Sequence, residues 1–222
     1  SGVVSALISD NNIGIFGKPF SEEGKKLFGV PFAQFLKLNS EFRYHYRIDK
    51  NQMIASRIAG GVIWSYGNAT TAPYTEQFYI GGANSVRAFS ARSIGPGGYP
   101  PETDRKYTYI NHVGDIRIEA NIEYRFRMIA DLHGAVFLDA GNVWLMRKDE
   151  NRPNGEFTLK NFPKQIALGT GFGLRYDLDF LVFRLDLGIG LHDPYDTGKS
   201  GYYNIPKFKD SMALHFAIGY PF

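Results

Sequence analysis

Long runs of strict period-two alternation constrain this chain more than any other feature. Between residues 116 and 128, Ile116, Ile118, Ala120, Ile122, Tyr124, Phe126 and Met128 share one face, and Arg117, Glu119, Asn121, Glu123, Arg125 and Arg127 share the other. Successive side chains of an extended strand point to opposite sides, so the run predicts one strand with an apolar and a polar face. Strands of soluble sheets usually run about 5–6 residues. This run is about twice that, the length a strand needs to cross a bilayer at a tilt.

The pattern recurs at 35–48, 166–177 and 180–192 and in the C-terminal run through Met212, Leu214, Phe216, Ile218, Tyr220 and Phe222. Weaker alternation marks 2–9, 53–66 and 132–140, which brings the expected total to eight strands. The connections alternate between long (10–32, 67–115, 141–165, 193–211) and short (49–52, 129–132, 178–179). A transmembrane barrel with short periplasmic turns and long extracellular loops has this asymmetry. The expected fold is therefore all-β, an antiparallel transmembrane β-barrel. Tyr46, Phe126, Tyr176, Phe180, Tyr220 and Phe222 are expected at one membrane interface, and Trp64, Tyr66 and Trp144 at the other.

Composition is compatible with this. Mean hydropathy is −0.24, an ordinary value, because a barrel averages lipid-facing and lumen-facing residues. The 25 Gly, 18 Phe and 14 Tyr suit tight bends and interfacial rings. With no Cys, a disulfide framework, a thiolate zinc site and a Cys nucleophile are excluded. His45, His112, His133, His192 and His215 have no metal-ligand spacing, so no metal or cofactor is expected. The net charge of +3 carries no dense basic block, which argues against a nucleic-acid partner. The chain starts Ser-Gly, without a leader pattern, and reads as a mature or truncated product. No apolar run reaches the roughly 18 residues of a membrane-spanning helix.

An eight-stranded barrel is narrow and filled by its own side chains. The connection 67–115 is too long for an ordinary turn, and a loop folding inward needs a wider barrel. Gly169, Gly171 and Gly173 leave a smooth lumenal strip where something can pack. The whole of 1–222 is thus expected to form half of a larger barrel, with 67–115 as a long inward loop. Such a piece has two unpaired edges, which lipid does not tolerate; closing on itself, pairing with a second copy and sitting beside an N-terminal half are all open to it.

Within that loop, Phe78-Tyr-Ile-Gly-Gly-Ala-Asn-Ser-Val-Arg-Ala-Phe89 resembles the G-G-x-x-S-[VI]-R-G-[FY] motif of the BamA/TamA superfamily of bacterial surface antigens. The matching positions are Gly81, Gly82, Ser85, Val86, Arg87 and Phe89, with Ala88 where the family usually has Gly. Phe137-Leu-Asp-Ala-Gly141 resembles the family's F-x-D-x-G segment, Glu123 its acidic position on the intervening strand, and Tyr220 and Phe222 its C-terminal assembly signal. The resemblance covers nearly the whole chain and implies the last eight of sixteen strands. It implies a non-enzymatic factor of the bacterial outer membrane that inserts or translocates other proteins. The partners it implies are outer-membrane lipid, unfolded outer-membrane protein substrates, an N-terminal barrel half and periplasmic POTRA domains.

The residues lead toward one site independently. Glu123 and Asp139 lie on the polar faces of neighbouring strands, and a three-residue turn at Ala130-Asp131-Leu132 sets them directly opposite. Like charges so placed repel unless a cation sits between them. Arginine fits, because its planar fork can bond two carboxylates. The expectation is that Arg87 enters the lumen and bridges Glu123 and Asp139, locking the loop. Arg184 and Asp186 are expected opposite Gly173 and Gly171 in a lumenal salt-bridge ladder. Two other functional classes stay open: a two-partner secretion transporter, and a porin-like or structural barrel anchor.

Overall fold

Residues that alternate in sequence alternate in burial, with an inverted sense. Along the strand Ile116–Ile129, Glu119, Asn121, Glu123 and Arg125 are buried while Ala120, Ile122 and Tyr124 are exposed. The computed structural model describes residues 2–9, 26–27, 30–31, 33–67, 69–100, 112–178 and 180–222, with side chains from residue 33 onward except at 210. The loop expected at 10–32 and the stretch 101–111 lie largely outside the described residues.

Ten strands are present among them: β1 (Gly2–Ser9), β2 (Lys26–Leu27), β3 (Val30–Pro31), β4 (Gln34–Arg47), β5 (Gln52–Tyr66), β6 (Ile116–Ile129), β7 (Leu132–Trp144), β8 (Ala167–Asp177), β9 (Val182–His192) and β10 (Met212–Ile218). β2 and β3 form a small separate hairpin. The other eight form one antiparallel sheet in the order β1-β4-β5-β6-β7-β8-β9-β10. Each strand pairs with its sequence neighbour, as in a meander. Among the described residues β1 and β10 are not paired with each other, so the sheet is open.

Strands β4 to β9 run 11 to 15 residues, against the 7 of β10. The sheet's bare face carries Leu36, Phe42, Tyr44, Ile58, Ile122, Leu138, Phe172, Leu185, Leu214 and Phe216. Arg57, Glu119, Glu123, Asp139, Arg175, Arg184 and Asp186 are sealed on the other face. A water-soluble sheet buries the opposite set, because apolar surface leaves water and unpaired charge stays in it. All three short connections lie at one end of the sheet. At the other end, Phe78, Ile80, Val86 and Ile94 of the long loop form an apolar cluster with Phe35, Ile63, Val143 and Ala167 of the wall.

The register departs from expectation at two turns. β6 and β7 join through only Ala130 and Asp131, with Ala130 at φ 47°. Pairing shifts between Arg127 and Ile129, a bulge at Met128. Both strands keep their polar residues at odd positions, so an even-length turn must be offset by one extra residue, which the bulge supplies. Consequently Asn121, not Glu123, stands opposite Asp139, and Glu123 stands opposite Phe137. The β8–β9 connection spans 178–181, which places Asp186 opposite Gly173 and Arg184 opposite Arg175. Arg184 and Asp186 are therefore shifted from the expected partners Gly173 and Gly171.

Two expected interfacial aromatics are buried. Trp144 is covered by the 145–166 connection: its ring lies edge-on to Phe157 at 5.5 Å and its Nε1 donates to Gln165 Oε1 at 2.9 Å. Burying an indole requires a partner for its N–H, and Gln165 provides it. Phe222 turns inward because β10 stops at Ile218 and Gly219 takes φ +84°, which directs the last residues off the sheet. Tyr46, Tyr176, Phe180 and Tyr220 are exposed near the short-turn end, and Trp64 near the other. Phe126 and Tyr66 are partly buried.

Candidate functional site

The loop that enters the lumen is shaped first by its own backbone. Gly81 and Gly82 have φ of +96° and +89°, and a Cβ on Gly81 would lie 2.1 Å from the Ser90 oxygen, so only glycine fits there. The turn closes through Gly82 N donating to Phe89 O (2.8 Å), Ser85 N to Gly82 O (3.1 Å) and Phe89 N to Val86 O (3.1 Å). Ser85 Oγ accepts from Gly81 N at 3.1 Å. Val86 is sealed in the apolar cluster and Phe89 packs at its margin. Ala88 has an ordinary negative φ, so the sequence departure there costs no backbone strain. Its methyl rests on Gly169, where a Cβ would come within 2.2 Å of it.

Arg87 is completely buried. Its Nε donates to Asp139 Oδ2 at 2.8 Å and its Nη2 to Asp139 Oδ1 at 2.9 Å, a two-pronged contact. Its Nη1 donates to Glu123 Oε2, and its main-chain N donates to Asp139 Oδ2 at 3.0 Å. The guanidinium carbon lies over the Phe137 ring, 3.6 Å from its centre, a cation–π contact. Expected motif residues thus meet here: Arg87, Glu123, Asp139 and Phe137. Gly141 stands apart, paired with Glu119; a Cβ there would lie 2.8 Å from the Ile118 oxygen, so it allows β6 and β7 a close approach.

Around this centre charges alternate. Glu123 also accepts from Arg125 Nε (2.6 Å) and Arg175 Nη2 (3.1 Å). Arg175 Nη1 donates to Asp186 Oδ1 at 2.6 Å, and Arg184 Nε stands 3.5 Å from Asp186 Oδ2. Arg57 donates to Glu119. Such a network pairs charges that are each costly to bury alone. Asn121 Nδ2 donates to Asp139 Oδ1 at 2.9 Å and to the Ser85 oxygen at 3.0 Å. Putting an amide, not a carboxylate, opposite Asp139 removes the repulsion the expected register implied.

The wall also grips the loop's main chain. Arg57 Nη1 donates to the oxygen of Asn84 (2.9 Å), and His215 Nε2, from β10, to the oxygen of Arg87 (2.9 Å). On β9, a Cβ at Gly188 would lie 2.2 Å from the Arg87 oxygen, so this glycine lets the loop backbone reach the sheet. The inward-turned Phe222 completes the floor: its oxygen accepts from Arg125 Nη2 at 3.1 Å, and its ring centre lies 5.7 Å from the guanidinium of Arg57 and 5.8 Å from that of Arg87. Tyr220 lies beneath Arg125 at 4.6 Å. Sequence reasoning missed Arg57, Asn121, Arg125, Arg175, Gly188 and His215 as parts of this site. All six occupy the lumenal parity of their strands, the one signal that marks them. No group of three or more His, Cys, Asp or Glu among the described residues can hold a metal ion.

Comparison with known proteins gives matches at three levels. The Omp85 superfamily domain matches residues 26–222. The outer membrane protein assembly factor BamA of Nitratidesulfovibrio vulgaris is 27% identical over 208 residues, covering 91% of this chain and 23% of that protein. BamA of Neisseria meningitidis serogroup B is 29% identical over 89 residues, covering 38% of this chain and 11% of that protein. The chain therefore spans less than a quarter of the length of these curated relatives. The crystal structure of BamA from Haemophilus ducreyi lacking POTRA domains 1–3 aligns with a TM-score of 0.58 at 16% identity, over 83% of this chain and 35% of that one. That likeness establishes a shared barrel-type fold.

Proposed function

The chain belongs to the Omp85 superfamily, and from that premise we propose that it is part of the wall of a transmembrane barrel that assembles other β-barrel proteins. Proteins of this family reside in the bacterial outer membrane and are non-enzymatic assembly factors. On this reading the eight sheet strands are the last eight of a sixteen-stranded barrel. An N-terminal barrel half takes one free edge, POTRA domains lie on the short-turn, periplasmic side, and lipid covers the apolar rows. Unfolded outer-membrane proteins are the substrates.

The seated loop carries the reading. A long connection at the end opposite the short turns reaches into the lumen and has its buried Arg87 held between two carboxylates of β6 and β7. We read Arg87, Glu123 and Asp139 as a lock that keeps the loop inserted. The motif residues Gly81, Gly82, Ser85, Val86 and Phe89 shape the loop for it, and Phe137 and Gly141 shape the wall. Tyr220 and Phe222 serve as the assembly signal at the end of the last strand. The work is strand exchange: the free edge of β10 offers main-chain donors and acceptors to an incoming strand. Pro221 has no N–H, and Gly219 bends the chain off the sheet, so the ladder ends early and the edge is left available.

The test uses the full-length protein in proteoliposomes with a urea-unfolded β-barrel substrate, scoring folding by heat-modifiable migration. Substrate should fold faster than in protein-free liposomes, and Arg87→Ala should remove most of that gain. Equal rates with and without the protein would sink the reading. A large steady conductance in planar bilayers would instead favour a porin-like anchor, because a plugged lumen opposes it.

A further inference from the structure

β10 is held on one side only. It pairs with β9 over Met212–Ile218, and among the described residues its other edge is free. One of its lumenal side chains reaches past β9 to the inserted loop: His215 Nε2 lies 2.9 Å from the main-chain oxygen of Arg87. A carbonyl can only accept, so this nitrogen carries the proton. The contact depends on Gly188, because any side chain there would occupy the space of the Arg87 carbonyl. The residue at the centre of the lock is thus bonded through its side chain to β6 and β7 and through its main chain to the terminal strand. Phe222 repeats the link lower down, with its ring against the guanidinium groups of Arg57, Arg87 and Arg125.

We propose that His215 is a positioning residue that couples seating of the loop to seating of the terminal strand. Withdrawal of the loop removes the bond between the His215 imidazole and the Arg87 carbonyl, and loosens β10. Displacement of β10 takes a donor away from the Arg87 carbonyl, and loosens the loop. Coupling of this kind is reciprocal by linkage, so each element stabilises the other by the same factor. The strand whose free edge the proposed function uses is thereby tied to the state of the lock. The inference rests on that lock, and the experiment separates the two.

Hydrogen exchange is followed by mass spectrometry at 81–92 and at β10 in the full-length protein in nanodiscs. His215→Ala should raise exchange at both segments by about tenfold, the size of one lost hydrogen bond. His215→Gln, whose amide can donate to the same carbonyl, should restore most of the protection. Arg87→Ala should raise exchange at 81–92 and also at β10. If Arg87→Ala leaves 81–92 protected, the lock itself fails. If it exposes 81–92 and leaves β10 protected, the lock stands and the coupling is overturned; a loop indifferent to His215→Ala, or Gln behaving like Ala, overturns it too. One measurement needs no substitution. In histidine-labelled parent protein the bond requires a slowly exchanging proton on Nε2 of His215, and a proton on Nδ1 alone would end the proposal.

Discussion

Arg87 shows how much one side chain can hold. It is fully buried and bonded to Asp139 and Glu123. Arg87→Ala leaves two buried carboxylates without their shared partner, a change that costs about 3–5 kcal/mol. The loop 67–115 should then be cut by a protease that leaves the parent intact. Arg87→Lys keeps the charge but loses the fork and should give intermediate cleavage; Lys behaving like the parent would refute the two-pronged contact. Beyond the end of β9, burial pushes the Asp193 carboxyl above its ordinary value. Its loop is stitched by Asn204, which accepts from Asp193 N at 2.7 Å and donates to Asp193 O at 2.9 Å. A carboxyl raised in the folded state holds its proton better there than in the unfolded chain. Its contribution is therefore full below the unfolded value, about 3.9, and is lost as pH rises through the folded value. Protection factors at 193–211 should fall over that window, and Asp193→Asn should flatten the fall. A parent profile that rises with pH would reverse the assignment.

At the scale of elements, alternation located every strand of the large sheet to within a few residues, because each long strand has one wet and one bare face. It also fixed which side chains share the lumen. It did not fix register. One bulge at Met128 moved Asp139 from Glu123 to Asn121, and a longer β8–β9 turn moved Asp186 to Gly173. A two-residue turn combined with a one-residue bulge, and a turn lengthened by two residues, both leave parity intact, so a parity argument cannot see them. The end of β10 is set by Gly219, where an added Cβ would meet nothing within 4 Å. Gly219→Ala is thus a backbone effect alone, about 1–2 kcal/mol for a positive φ. Each kcal/mol lowers the unfolding midpoint by roughly 2–4 °C in a chain of this size. Heat-modifiable migration should register that drop, together with release of Phe222 from the arginines. An unchanged midpoint would mean the terminal turn is not held by the folded wall.

For the molecule as a whole, the two tryptophans report opposite environments. Trp64 is 57% exposed on the bare face, and Trp144 is sealed beneath the 145–166 connection. In bilayers of brominated phospholipid, Trp144→Phe protein should lose most of its fluorescence through Trp64. Trp64→Phe protein should keep most of its own through Trp144. Equal quenching of the two variants would deny that the bare face meets lipid. The sequence placed both rings at an interface, and only the folded connection decided that one is covered.

What the sequence determined by itself was local or periodic: strand positions, the face each side chain occupies, the asymmetry of the connections, and the loop motif with its arginine. These follow from the two-residue repeat of an extended chain and from the backbone needs of glycine, neither of which depends on distant partners. Which carboxylates, amides and carbonyl oxygens meet Arg87 was decided by tertiary structure. Those contacts join residues as far apart as Arg87 and His215, across β6, β7, β9 and β10. Their geometry depends on a bulge, a turn length and the glycines that let a backbone approach, each a matter of space between elements that spacing along the chain does not encode.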